Sequence, residues 1–180
     1  MAEQEQNPFT MVLTALWDML LEHPQFVRDV PERNRIRFDS LTDRDPLKDT
    51  VAAADMPEVA VVAETVTANI MESSSSSRCN RVYSVLVSTG DFRYSAILGQ
   101  VEWAVFAALT GWKAKLAALR WNGEGFVKNV NVTTARSGLR QSEQDRNLTG
   151  WSAVWSIEVM MVFSTSDLLA ELGCQSAQAN

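Results

Sequence analysis

The stretch Gly150–Phe163, GWSAVWSIEVMMVF, decides the fold of this chain. Every second residue of it is apolar, and the residues between include Ser152, Ser156 and Glu158. Successive side chains of a strand point to opposite faces, so this alternation predicts a strand with one core face and one mostly wet face. The apolar set is Trp151, Ala153, Trp155, Ile157, Val159, Met161 and Phe163.

Three earlier segments show the same alternation in shorter form. Residues 129–133 alternate valine with asparagine and threonine, and residues 83–88 alternate apolar residues with serine. Residues 65–70 alternate threonine or asparagine with apolar residues, directly after the apolar run 59–63. The sequence therefore predicts about four main strands.

Helical spacing occurs in two places. Asn7 is a good cap and Pro8 a good first residue, and the helix that they open should end at His23-Pro24. A second helix is predicted over about Tyr94–Leu119, because apolar residues recur there at intervals of three and four. Its inner stripe is Ile97, Val101, Ala104, Ala108, Trp112, Leu116 and Leu119.

The order α-β-β-α-β-β predicts one α+β domain over residues 1–180: an antiparallel or mixed sheet of about four main strands, with helices packed on one face. Residues 1–7 and 171–180 are expected to be flexible ends. Residues 31–58, rich in charge and proline, are expected to form a long polar loop. Residues 136–149, between the last two strands, are expected to form a protruding hairpin arm.

Composition excludes several classes of protein. The net charge of −6 argues against a general nucleic-acid binder, which would carry a basic stripe. No apolar run is long enough to predict a membrane span, and the polar opening residues do not form a secretory signal. Cys79 and Cys174 lie far apart and are expected to be free thiols in a reducing compartment, the cytoplasm.

Catalytic motifs are missing from the sequence. The one histidine, His23, directly precedes a proline and is interpreted as the end of a helix. The chain has no G-x-S-x-G elbow, no phosphate-binding glycine loop and no zinc-binding spacing. We therefore expect no enzyme activity, no cofactor and no metal ion.

Asp39, Asp43, Asp45 and Asp49 form the one acidic cluster that could suit a divalent cation. The spacing does not fit a calcium-binding EF-hand, because the sixth residue from Asp43 is Lys48 and the twelfth is Ala54. A solvated acidic loop and an acidic protein interface are the other two interpretations.

Arg136, Arg140 and Arg146 lie in the predicted arm together with Glu143 and Asp145. The two acidic residues leave a single net positive charge there, which argues against a phosphate contact. An ion-paired protein contact and a solvated loop remain open. Four of the six tryptophans fit either the core or a subunit interface, where aromatic residues are enriched. These four are Trp17, Trp112, Trp151 and Trp155.

The layout of the whole chain, over about residues 8–170, resembles the tail terminator (tail completion) proteins of tailed bacteriophages. The resemblance lies in the order of five segments: a first helix ending HPQF at 23–26, a strand entry PEVAV at 57–61, a strand ending STGD at 88–91, a helix ending WKAKL at 112–116, and a last strand beginning GWSAVW at 150–155.

The resemblance implies an α+β subunit that forms a closed ring, with a hexamer expected, at the end of a tail tube in the virion. Its partners would be copies of itself, the tail tube protein, and a neck or head-completion protein. DNA would pass through the lumen without specific binding, no membrane would be involved, and assembly would occur in the host cytoplasm. The expected interface residues are Arg136, Arg140, Asp145 and Arg146 on the arm, and Asp43, Asp45 and Asp49 on the loop.

Three alternatives stay open at this stage. One is another phage neck or head–tail connector component. Another is a non-viral module that binds a ligand or protein, and a stable monomer with an apolar pocket would favour it. The third is an enzyme, for which a divalent-dependent activity lost on mutation of Asp43 and Asp45 would speak.

Overall fold

The computed structural model describes residues 7–38, 57–63, 71–72, 75–89, 95–141 and 149–170. The helices in these ranges are α1 (Pro8–Leu21), α2 (Pro24–Asp29), α3 (Ser95–Ala108) and α4 (Trp112–Ala117), with a 3-10 turn at Glu32–Asn34 and a helical segment at residues 165–170. The strands are β1 (Arg35–Phe38), β2 (Glu58–Ala63), β3 (Met71–Glu72), β4 (Ser76–Thr89), β5 (Arg120–Trp121), β6 (Glu124–Gly125), β7 (Val127–Gln141) and β8 (Thr149–Ser164).

A mixed sheet organises the fold. Its strands lie in the order β1-β2-β4-β8-β7, and the short β3 also pairs with β4. Strand β1 runs parallel to β2, and the other pairs are antiparallel. Strands β5 and β6 form a separate hairpin, whose turn places Asn122 and Gly123 at positive φ. The predicted α+β class is confirmed.

Strand β8 lies inside the sheet and carries the predicted alternation. It pairs with β4 from Ser76↔Ser164 to Thr89↔Trp151 and with β7 on its other side. Six of the seven predicted core residues are at most 7% exposed, which confirms the face assigned to them; they are Ala153, Trp155, Ile157, Val159, Met161 and Phe163.

The main core lies between this face of the sheet and the helices, all four of which contribute to it. The Tyr83 hydroxyl donates a hydrogen bond to the Phe9 carbonyl oxygen at 3.0 Å, which fixes the start of α1 against β4. The Phe163 ring stacks on Phe126 and meets the edges of Phe9 and Trp121. A smaller apolar cluster on the opposite face comprises Ala60, Val62 and Leu86.

The start of α1 follows the prediction. The Asn7 side chain accepts a hydrogen bond from the Thr10 backbone N–H at 2.9 Å, and Pro8 is the first helical residue. Assigning Asn7 to the flexible terminus was therefore wrong, because its cap fixes it to the helix. Residues 1–6 and 171–180 lie outside the described residues.

The single helix predicted over residues 94–119 is wrong, because two helices occupy this stretch. Gly111 adopts φ 83°, a left-handed conformation that ends the first helix and opens the second. The apolar stripe nevertheless continues across the break, since Ala108 and Leu116 are both buried. The periodicity of the apolar residues therefore did not indicate the break between α3 and α4.

The loop predicted over residues 31–58 is wrong at both ends. Residues 35–38 form β1, and Glu58 is the first residue of β2. One of the arginines there has a structural role: Arg35 donates hydrogen bonds to the carbonyl oxygens of Val30 and Val27 at 2.8 and 2.6 Å. Residues 39–56 lie outside the described residues.

Strand β2 is the apolar run itself, and every one of its residues is buried. The segment 65–70, where the alternation predicted the first main strand, lies outside the described residues. The predicted arm begins later than residue 136, because Arg136 still lies within the sheet, paired with Ala153, which in turn pairs with Val87. Residues 142–148 lie outside the described residues.

Candidate interaction surface

Helix α3 has apolar residues on both of its faces. Val101, Ala104 and Val105 are at most 1% exposed and pack into the main core. Trp103 and Phe106 point away from it and are 59% and 57% exposed. Their ring centroids lie 5.8 Å apart at an interplanar angle of 32°, so the two rings form one exposed aromatic pair.

A groove of about 570 Å³ lies between α3 and the strands β7 and β8. Its helix wall includes Glu102 and the aromatic pair, and its strand wall includes Thr134 and residues 153–155. The groove therefore joins the exposed rings to the last strand of the sheet. Most of its lining is apolar, as expected for a surface that another molecule covers.

Strand β7 is an edge of the sheet. It spans 15 residues, pairs with β8 on one side, and pairs with none of the described strands on the other. A long strand with an open side presents a row of backbone N–H and C=O groups that can pair with another chain. Natural proteins usually cover or interrupt such an edge, and β7 is irregular between Val127 and Asn129 and between Ser137 and Arg140, which leaves residues 129–137 as its regular stretch.

The side chains of β7 differ between its two faces. Val130 is buried on the helix face, and Thr134 on that face is exposed in the groove. Asn129, Asn131 and Thr133 are exposed on the opposite face. The open edge thus separates an apolar groove from a polar surface.

The charged residues of β7 are all basic. It carries Lys128, Arg136 and Arg140 and no acidic residue, whereas the whole chain has 22 acidic residues against 16 basic ones. Lys128 is exposed, and its Nζ donates a hydrogen bond to the Gly125 carbonyl oxygen at 2.7 Å. The strand is therefore basic in sequence, within an acidic protein.

The described ranges contain few of the site residues predicted from the sequence. Arg136 and Arg140 lie in β7, where they pair with Ala153 and Gly150. A second set of predicted residues lies outside the described residues: Asp43, Asp45, Asp49, Asp145 and Arg146. The two arginines are thus placed on the same edge strand, and their partnership with the acidic residues stays a prediction.

Cys79, Tyr83 and His23 each have ionisable atoms that are buried in the protein. Cys79 is free and buried, and burial raises the pKa of its thiol, an effect that the charge of Arg81 opposes. Burial also raises the pKa of the Tyr83 hydroxyl, which serves as the hydrogen-bond donor to α1. His23 caps α2 through its backbone, and its Nδ1 is buried without a hydrogen-bond partner.

The ranges that the structure describes contain no group of three or more histidine, cysteine, aspartate or glutamate side chains able to hold a metal ion. None of the helices in those ranges is long and apolar enough to cross a membrane.

Sequence reasoning missed the aromatic pair. Trp103 and Phe106 fall between the positions of the predicted inner stripe, which passes through Val101, Ala104 and Ala108. The sequence did hold a signal: large apolar residues occur in this helix outside the stripe that faces the core. A helix covered on one side normally has polar residues on its other side.

Neither protein-family models nor curated proteins match this chain.

Proposed function

We propose that this protein is a structural subunit of a tailed-phage virion, a tail terminator whose ring caps the tail tube and joins it to the head or neck. One observation carries the proposal: the long open edge of β7 adjoins an exposed aromatic pair and an apolar groove. A subunit that works alone would be expected to cover such a surface, whereas a ring subunit needs it for a neighbour.

The proposed mechanism is geometric. The ring adds to the growing end of the tube, stops further addition of tube subunits, and presents a new surface to the head or neck. No covalent bond is made or broken, so the function needs no catalytic group and no cofactor. The net negative charge supports passage of DNA without specific binding, because phosphates are repelled by a negative lumen.

The test is a capping assay with purified protein and tail tubes of the same phage. We expect the protein to bind one end of each tube as a ring in negative-stain images and to stop elongation. Charge reversal at Arg140 and Arg146 should leave the monomer folded and weaken capping, since the sequence predicts both as interface residues. Tubes that elongate equally with and without the protein would contradict the proposal.

The groove also favours a second candidate, a module that binds a ligand or protein outside virions. Grooves of this volume lined by aromatic side chains are typical of binding sites. This candidate predicts a protein that stays monomeric at all concentrations and leaves tail tubes uncapped.

A further inference from the structure

We propose that the open edge of β7, together with Trp103 and Phe106, binds a second copy of this chain in a head-to-tail contact. This inference deepens the proposed function and rests on it, because it names the surface through which the ring would close. The surface extends from the exposed rings of α3 through the groove to the outer side of β7.

The backbone of β7 indicates which kind of segment could bind there. Another extended segment can replace water along its regular stretch, residues 129–137, since a strand presents N–H and C=O groups at matching intervals. The two faces beside the edge differ, so apolar side chains of that segment would enter the groove by Trp103 and Phe106. Its polar side chains would lie beside Asn129, Asn131 and Thr133.

The charge of β7 indicates that the occupant is acidic. The strand carries three basic residues and no acidic one, and a complementary surface would supply carboxylates. The chain itself meets this requirement, because acidic residues outnumber basic ones in it by 22 to 16 even with the three of β7 included. A second copy is therefore an electrostatically suitable partner.

The same charge argues against a two-fold dimer built from β7 alone. Two copies of β7 side by side would bring together strands that each carry three basic residues and no acidic one, and like charges that come opposite each other destabilise a strand pair. The neighbour must therefore present a different surface to β7. Contacts between two different surfaces generate rings when the rotation closes.

The test compares variants by light scattering after size exclusion, over a concentration series at low and high salt. Trp103→Ser combined with Phe106→Ser should weaken association at least tenfold, and Lys128→Glu should weaken it and reduce its dependence on salt. Leu169→Ser and Lys113→Glu are matched controls: Leu169 is 61% exposed, Lys113 is an exposed lysine on α4, and neither lies on the proposed surface. Circular dichroism should show every variant folded.

Amide hydrogen exchange of the assembled wild-type protein gives an independent measurement. Backbone amides on the outer side of β7 should exchange more slowly in the assembly than in the dilute monomer. A wild-type chain that stays monomeric at every concentration, or an assembly that survives the double serine variant, would overturn the proposed contact.

The capping assay separates failure of the contact from failure of the proposed function. Tubes capped equally well by the double serine variant would leave the function standing and remove the contact. Assembly that depends on Trp103 and Phe106, without capping of any tube, would support the contact and remove the function.

Discussion

Strand β8 and helix α3 both carry regular apolar patterns. In β8 the described residues of the pattern are buried within the subunit, whereas α3 also has exposed apolar residues. The core residues of β8 from Ala153 to Phe163 are at most 7% exposed, and the strand is paired on both sides. Helix α3 buries one apolar face and leaves Trp103 and Phe106 mostly in solvent, next to β7, which pairs with a single strand among those the structure describes. The difference separates residues that specify the fold from residues that the fold does not require.

The largest expected effect is at the centre of the sheet. Trp155→Ala should reduce the free energy of unfolding by about 3–5 kcal/mol, because it removes a large buried side chain and leaves a cavity. Denaturant unfolding followed by circular dichroism measures this change. A loss below about 1 kcal/mol would show that β8 contributes less to the core than its burial indicates.

Gly111 separates α3 from α4 and should show an intermediate effect. Gly111→Ala should cost about 1–2 kcal/mol, because an alanine is strained at φ 83° although no atom lies within 4 Å of its Cβ position. Gly99→Ala is the matched control inside α3 and should stabilise the protein by about 0.5–1 kcal/mol. Thermal unfolding of the pair checks the sign, and equal shifts would contradict the helix break.

The cap of α1 should contribute somewhat less. Asn7→Ala removes the hydrogen bond to the Thr10 N–H and should cost about 1 kcal/mol, whereas Asn7→Asp should retain the cap. Denaturant midpoints measure both changes. An alanine variant as stable as the aspartate variant would mean that the helix start does not depend on this side chain.

The smallest effect on stability is expected on the outer face of α3. Trp103→Ala should change the free energy of unfolding by no more than about 0.5 kcal/mol, because the side chain is 59% exposed and outside the core. It is the same substitution as Trp155→Ala, measured by the same unfolding experiment in dilute monomer. Comparable losses at the two tryptophans would abolish the distinction between the two regions.

The parts of the fold that the sequence predicted are those whose patterns are local. The alternation in β8 and the Asn7-Pro8 helix start each need only a few neighbouring residues to be recognised. Strand β1 was missed because two of its four residues are arginines, which are typical of a polar loop. Only the structure shows that Arg35 donates hydrogen bonds to backbone carbonyl oxygens earlier in the chain. The helix break at Gly111 was missed because the apolar stripe continues across it.

The candidate surface could not be predicted in the same way. Whether Trp103 is covered depends on which elements lie beside α3, and that is decided by tertiary packing. The open side of β7 likewise depends on strand order, since the same valine–asparagine alternation would suit a strand inside the sheet. Part of this surface was nevertheless predicted, because the sequence analysis names Arg136 and Arg140 of β7 as interface residues.

The pairing of β4 with β8 also has a consequence for how the chain folds as it is synthesised. Ser76 pairs with Ser164, and α3, α4 and β7 lie between these two strands in the sequence. Strand β4 therefore emerges from the ribosome long before its partner, and a fold dominated by such distant pairings is expected to form slowly. Until β8 is made, the side of β4 that pairs with it is open, so nascent chains stopped before residue 149 should aggregate readily.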